Sequence, residues 1–497
     1  MIGAGPEIRP PSEMVDDDLV QEACGVAGVI DPSGEMPVAQ QVVLALDGIQ
    51  GRGEGAAGIF NNSDAVQGFG IGIKNLGLVS EVFPDGGQIV DGMTGNKSVM
   101  SVGQVRWATS EVIADPFHQA QPLTSEKIVV AHNGHIEGMV GIAESYGVAG
   151  SVSDSDALTS TLGFLSKAEN CGNALGAMHE LLPSLDGAYS LVVADQEQMH
   201  GVRDPWGTRP LWMGRYANGA HIFASEQPVL RETGDIVEEY ELRPGEIISI
   251  DLKGNVESSF IDRTVGHLGM CALEGVYFAR PDGALDGRSV YASREAMGKR
   301  LAQEQPAEAD VVIGVPDSGV IAAMAYAQEL GIPYKAGLFR NPYTSRTFIQ
   351  SSPEVRRRMV RRKLRPNQEV LEGKRVVVVD DSIVRGTSTE TLSEILRGAG
   401  ATEVHFRISS APFRHPCFSG TAISKPETLL ARKHPTMEGM RSVLKADSLG
   451  FLSPEGLATS LGKSVGSVCL GCMTGEYPFQ VPTPTSQGRP LLPITAR

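Results

Sequence analysis

Between residue 24 and about residue 255 the chain is a succession of short apolar runs cut by Gly, Asn and Asp: CGVAGVI, KIVVAHNG, GAYSLVVAD, QMHGVRD, HIFASE and GEIISIDLKGN. Runs of this length and spacing predict a many-stranded β-rich domain. Two stretches break the rhythm, SDALTSTLGFLSKAENCG and ALGAMHELLPSL, where apolar residues recur at helical spacing. Layered sheets covered by helices follow from that mixture. Beyond about residue 285 the period changes: SVYASREAMGKRLAQEQ, ADVVIGVPDSG, VIAAMAYAQELG, KRVVVVDDSIVRGTS and ETLSEILRGAG alternate helix and strand. Unbroken valine runs between amphipathic helices mark a parallel sheet buried on both faces. The predicted class is therefore α+β followed by α/β.

A chain of 497 residues is too long for one ordinary core, which agrees with two large domains. No apolar run approaches the roughly 18 residues of a membrane span. The first twenty-three residues, with their proline pairs and the acidic run Asp16 to Asp18, lack the positive start and apolar centre of a secretory signal. A cytoplasmic protein is expected. The formal charge of -16 argues against nucleic-acid or membrane partners, which are bound chiefly through excess Lys and Arg. One local exception is RRRMVRRKLR, residues 356 to 365, readable as a solvated basic loop, a nucleic-acid patch or a phosphate-handling loop. Six cysteines, far apart and without an export signal, speak for metal binding or catalysis rather than a disulfide framework.

VVVVDDSIVRGTS puts Asp380 and Asp381 where a buried strand ends, the edge at which open α/β sheets bind ligands. The small-residue turn and helix start behind them, with Ser382, Gly386, Thr387 and Ser388, offer backbone N–H groups and hydroxyls to a phosphate. This array resembles the phosphoribosyl pyrophosphate motif of the type I phosphoribosyltransferases. The resemblance implies a pyrophosphate loop in GVPDSG, with Asp317 and Ser318, and a mobile basic loop that includes Arg346 and Lys363. It also implies a Mg2+ ion near Ser318, Asp380 and Asp381. GFGIGIKNLG, near residue 70, imitates a dinucleotide fingerprint but lacks the surrounding strand-helix unit and acidic partner.

Cys24 heads an apolar run, and by itself reads as a small buried hydrophobe in a first strand. QGRGEGAAGI, GQVRWATS, VVAHNGHIEG and SDSDAL, however, resemble the glutamine-hydrolysing domain of class II amidotransferases, a four-layer αββα N-terminal-nucleophile fold. Joined in this order to the sugar-phosphate motifs, they resemble the glutamine phosphoribosylpyrophosphate amidotransferase family across residues 22 to 478. The resemblance implies Cys24 as nucleophile. It implies Arg52, Arg106, Thr109 and Asp154 around glutamine, with Asn133 and Gly134 as the oxyanion hole. Residues 1–23 are then a propeptide whose removal frees the α-amino group, with a reference pKa of roughly 8, as the base for the thiol.

Departures accompany this: Gly51 and Gln104 stand where the family usually has His, Glu54 and Gly55 follow Arg52-Gly53 where it has polar or acidic residues, and Trp107 stands where it has Tyr. CALEGVYFARPD, HPCFSG and CLGCMTGEYP resemble the cluster-bearing segments of the family's iron-sulfur branch. Spacing alone leaves zinc equally open for Cys271, Cys417, Cys469 and Cys472, and the resemblance implies a 4Fe-4S cluster. Cys171 is read as structural. The implied domains are 24–255 for glutamine hydrolysis, 256–450 for phosphoribosyl transfer, and 451–497 for the cysteine pair and a loose tail. The implied activity converts glutamine and phosphoribosyl pyrophosphate to phosphoribosylamine, the committed purine step. Purine nucleotides are expected as feedback inhibitors and a homo-oligomer, dimer or tetramer, as the assembly. Two alternatives stand beside it: a nucleotide-sensing regulator without turnover, and a redox-responsive cluster protein.

Overall fold

The computed structural model describes residues 24–62, 69–93, 98–107, 117, 119–341, 358, 360–421, 423, 425–481, 483–484 and 490–491. The leader, Thr109 and Arg346 lie outside them.

Gly25–Ile30 is buried at every position because it runs through the middle of a seven-stranded sheet. The order across that sheet is Ile236–Glu241, Trp212–Tyr216, His221–Ala224, Gly25–Ile30, Met100–Arg106, Ala56–Asn62 and Gly70–Leu76. A six-stranded sheet lies against it, ordered Val256–Phe260, Glu246–Asp251, Gln198–Arg203, Asp186–Ala194, Ile128–Glu137 and Leu123–Ser125. Alternate residues of each strand serve different layers, as a period of two requires. Val26, Ile30, Met100 and Val102 meet Val129, Ala131, Val192 and Met199 between the sheets. Ala27, Val29 and Val105 pack instead under the helix Val38–Gly48. On the far side, Val130, Leu191 and Val202 are covered by Asp154–Leu165 and Ala174–Leu181. The result is the four-layer αββα sandwich, and its second sheet continues to Phe260, past the boundary expected at 255.

The second domain is built on four parallel strands in sequential order, Val311–Gly314, Arg375–Asp380, Glu403–Ile408 and Ser448–Phe451. The valine run splits by parity. Val377 and Val379 share a core with Ala322, Tyr326 and Met297 of the helices Gly319–Leu330 and Val290–Glu304. Val376 and Val378 face Leu392, Leu396 and Met440 of Thr387–Gly398 and Met437–Val443. The segment Leu452–Leu461 joins the first of these cores. Further along, Cys469 pairs in register with Cys271 in a short parallel ladder, so the C-terminal region is anchored where the second domain begins.

Candidate active site

Gly25 pairs with Val105 in the antiparallel ladder, so Cys24 and Arg106, the next residue on each strand, lie at the same end of it. The Arg106 guanidinium meets the backbone carbonyl and side-chain oxygen of Gln119, the latter at 2.7 Å. Buried Gln104, on the same strand, donates from Nε2 to the His132 carbonyl and so ties the two sheets together beside Asn133. The His-to-Gln departure is thus accommodated as an inter-sheet tie. Gly51 and Gly55 lie exposed, and open space surrounds Gly51. His132 donates its N–H to Gln121 Oε1 at 2.8 Å, and its Nδ1 lies 2.9 Å from Ser155 Oγ. Burial lowers the His132 imidazole to about 4 despite nearby Asp154, so it is neutral at pH 7. Asn133 is fully buried. Its Nδ2 reaches Ser190 Oγ only at 3.5 Å, and its Oδ1 has no partner among the described residues.

Asp154 opens its helix behind the Ser153 cap. Its carboxylate accepts the N–H groups of Ile136 and Ser155 at 3.1 and 2.8 Å and lies 3.2 Å from His135 Nδ1. Burial opposes its charge, but the His135 hydrogen bond and the neighbouring imidazoles hold the carboxyl well below the usual range.

Arg52 is a correction. It was expected on glutamine, but its guanidinium closes on two buried carboxylates, Glu226 at 2.6 Å and Glu274 at 2.7 Å. A buried cation demands such partners. Glu274 also receives Arg209 at 3.0 Å, so a buried Arg-Glu-Arg bridge joins the first domain to the start of the second. Glu226, Glu274 and Arg209 were missed because sequence gives no sign that these charges are buried.

In the second domain Asp380 and Asp381 stand at the strand end. Asp381 accepts hydroxyl hydrogen bonds from Ser318 and Ser382, both at 2.5 Å, and its own N–H donates to Asp380 at 2.9 Å. The Ser382 hydroxyl expected on phosphate is thus directed to a carboxylate. Gly319 lets the Asp317–Ser318 loop approach, since a Cβ there would lie 2.5 Å from the Val379 carbonyl. Desolvation and then the charge of Asp381 push the Asp380 carboxyl well above its ordinary value, with Lys363 opposing. Asp317 pairs with Arg340 at 2.6 Å near the solvent. Gly386, in the left-handed region, precedes Thr387 and Ser388 at the start of Thr387–Gly398. Leu338–Arg340 pairs with Leu364–Pro366, so the C-terminal end of the basic segment is held in a short antiparallel ladder. Arg294, also missed, is buried and donates to the carbonyls of Gly275, Tyr277 and Ala279. Burial lowers the Arg294 guanidinium below its ordinary value, with the charges of Asp381 and Glu226 opposing.

Among the described residues the six cysteines form no disulfide. Cys271, Cys469 and Cys472 are buried and Cys417 is half-buried. Burial and then the neighbouring thiols push Cys472 well above its ordinary value, and burial pushes Cys469 up to about 11. The four are therefore mutual neighbours, while Cys171 packs at the edge of the first domain's outer core. Among the described residues no three His, Cys, Asp or Glu side chains are gathered as ligands for a metal ion. No helix among them is long and apolar enough to cross a membrane.

Comparison with known proteins gives two family matches, a glutamine amidotransferase domain over residues 108–232 and a phosphoribosyl transferase domain over 286–411. The chain is 37% identical to an amidophosphoribosyltransferase of Mycobacterium bovis, covering 95% of this chain and 89% of that one. It is also 37% identical to that of Bacillus subtilis, covering 93% and 95%. A solved structure of the B. subtilis glutamine phosphoribosylpyrophosphate amidotransferase, complexed with ADP and GMP, superposes with a TM-score of 0.80 at 37% identity. It covers 92% of this chain and 98% of that one.

Proposed function

The chain belongs to the amidophosphoribosyltransferase family, and from that premise we propose how its own residues carry the reaction. The enzyme uses glutamine to convert phosphoribosyl pyrophosphate to 5-phosphoribosylamine, glutamate and pyrophosphate, the committed step of purine synthesis. The Cys24 thiol, deprotonated by its own α-amino group once residues 1–23 are removed, attacks the side-chain carbonyl of glutamine. Asn133 Nδ2 and the Gly134 N–H meet the charge that develops on oxygen. Arg106 holds the substrate's carboxylate and Asp154 its ammonium group. Ammonia leaves, and water hydrolyses the thioester to glutamate. The ammonia passes through the interior and attacks the anomeric carbon as pyrophosphate departs.

The backbone N–H groups of the Asp317–Ser318 loop, the Ser318 hydroxyl, Lys363 and the Gly386–Ser388 turn hold the phosphates in this reading. Asp380, Asp381 and Ser318 fit a magnesium ion, because two adjacent carboxylates, one of them strongly disfavoured as an anion, face each other. The ion supplies charge neutralisation for the pyrophosphate. Cys271, Cys417, Cys469 and Cys472 are proposed to hold a 4Fe-4S cluster on their chemistry, three of these thiols being buried and Cys271 lying in register with Cys469, although the described residues do not gather them as ligands. The cluster supplies a covalent staple. Purine nucleotides are proposed as inhibitors, supported by the ADP and GMP in the B. subtilis complex. Assembly as a dimer or tetramer rests on family resemblance. The regulator alternative leaned on QGRGEG, whose departures Gly51 and Gly55 lie on the surface, and it is not favoured.

One observation carries the glutamine half: the ladder that begins at Gly25 and Val105, the residues next to Cys24 and Arg106, while Gln104 on the same strand grips the residue before Asn133. Replacing Cys24 by Ser tests it. Glutamine-dependent synthesis is expected to vanish while synthesis from free ammonia persists; equal loss of both would refute separate sites.

A further inference from the structure

Gly134 is enclosed on both sides. A Cβ placed on it would lie 1.9 Å from the Ala188 carbonyl oxygen of the neighbouring strand. From the opposite direction, a Cβ on Gly420 would lie 2.9 Å from the Gly134 carbonyl carbon and 3.1 Å from its oxygen. Gly420 sits at φ +91°, in the turn that follows Cys417. Fully buried Arg209 grips the same turn, donating from Nη2 and Nε to the Ser419 carbonyl at 2.5 and 3.2 Å. Its Nη1 is held by Glu274 at 3.0 Å. On its other side the turn is attached to sulfur: the Ser419 N–H donates to Cys417 Sγ at 3.3 Å, and Ser419 Oγ lies 4.0 Å from Cys469 Sγ. One four-residue turn of the second domain therefore touches the thiol group and backs directly onto the Gly134 carbonyl of the first, one peptide beyond the Gly134 N–H.

We propose that the Cys417–Gly420 turn is a positioning element of the glutamine site, clamped by Arg209 and pressed against Gly134 so that the Asn133 and Gly134 donors keep their aim. This rests on reading those two residues as the oxyanion hole. Donors of that kind act on charge that exists only in the transition state, and an error of about 0.5 Å is enough to weaken them. Displacing the turn therefore lowers kcat for glutamine hydrolysis and leaves KM nearly alone. Arg209 has the geometry for the task because a planar fork spans Ser419 and Glu274 together, which a lysine ammonium does not.

Three variants of the mature full-length enzyme test the proposal: Arg209→Lys, Gly420→Ala and Asn133→Ala. Each is assayed for glutamine hydrolysis, for ammonia-dependent synthesis and for the rate of Cys24 alkylation by iodoacetamide. Arg209→Lys and Gly420→Ala are expected to lose about 10-fold or more in kcat for glutamine, part of the ~100-fold that removing a whole donor costs. KM, ammonia-dependent synthesis and Cys24 alkylation are expected to stay within about twofold, within the ordinary noise of such comparisons. Parallel loss of ammonia-dependent synthesis would show general damage and overturn the positioning role. Gly420→Ala also strains a left-handed position, so Arg209→Lys decides if that variant fails to fold. Normal kcat in Arg209→Lys, beside a large loss in Asn133→Ala, overturns this inference alone. Normal kcat in Asn133→Ala removes the oxyanion reading and this inference with it.

Discussion

Asp154 and His135 each fix the charge of the other. Burial disfavours both ions, yet the hydrogen bond between them, with Glu137 beside the imidazole, raises His135 to about 10 and depresses Asp154. The raised histidine favours the folded state fully below its ordinary value of 6.5, and that contribution is lost as pH rises through about 10. The depressed carboxyl contributes above its ordinary value of 3.8 and loses that contribution as pH falls through its lower folded value. Asp154→Asn is therefore expected to drop the His135 titration from about 10 toward 6.5, read by NMR, and to raise KM for glutamine. Its destabilisation relative to the parent is largest between those two ordinary values and fades toward pH 10. A His135 titration unmoved by the substitution would deny the pairing. In the other domain, Asp381 anchors both Ser318 and Ser382. Asp381→Asn removes the charge and one of the two acceptor oxygens, and synthesis is expected to fail with ammonia as well as with glutamine. Near-normal ammonia-dependent synthesis would place the sugar-phosphate pocket elsewhere.

At the level of elements, the strands were legible because their apolar runs are short and bounded by turn residues. Val376 to Val379 reads directly as a strand buried on both faces. Sheet order was not legible, since Gly25–Ile30 finds its partners in Met100–Arg106 and His221–Ala224, far along the chain. The helix expected over residues 155 to 172 ends at Leu165, and the chain turns at Lys167 to Gly172 through local backbone hydrogen bonds. Motif positions such as Asp380, Asp381 and Asp154 could be read from their neighbours in sequence. Arg52 could not, because what decides its role is Glu274, a residue of the other domain. That bridge yields a prediction. Glu274 is fully buried between Arg52 and Arg209, so Glu274→Gln leaves two guanidinium groups short of a counter-charge. Removing one partner of a buried ion pair costs about 3–5 kcal/mol. Chemical denaturation is expected to show a loss of that order, and a change under about 1 kcal/mol, the size of a surface pair, would mean the bridge is solvated.

For the whole molecule, the proposed cluster ties the question of the metal to how the second domain and the C-terminal region hold together. Cys271 begins the second domain, Cys417 follows its third strand, and Cys469 and Cys472 lie close to the chain's end. Without metal these thiols are packed as small apolar groups, with burial and mutual proximity holding Cys271, Cys469 and Cys472 protonated. In the proposed cluster, coordination would replace those protons and tie three segments of the chain into one cross-linked unit, so that binding free energy would become folding free energy. Anaerobically purified protein is expected to be brown, to carry about four irons per chain, and to bleach in air. Replacing Cys472 by Ala, a buried ligand that touches neither substrate in the proposed reaction, is expected to remove the colour and lower the unfolding midpoint together. If the staple also acts through the Ser419–Gly420 turn, glutamine hydrolysis declines before ammonia-dependent synthesis as the colour fades. A colourless, air-stable protein with one zinc per chain would reject the cluster and leave both catalytic assignments standing, because none of the four sulfurs is asked to take part in either reaction.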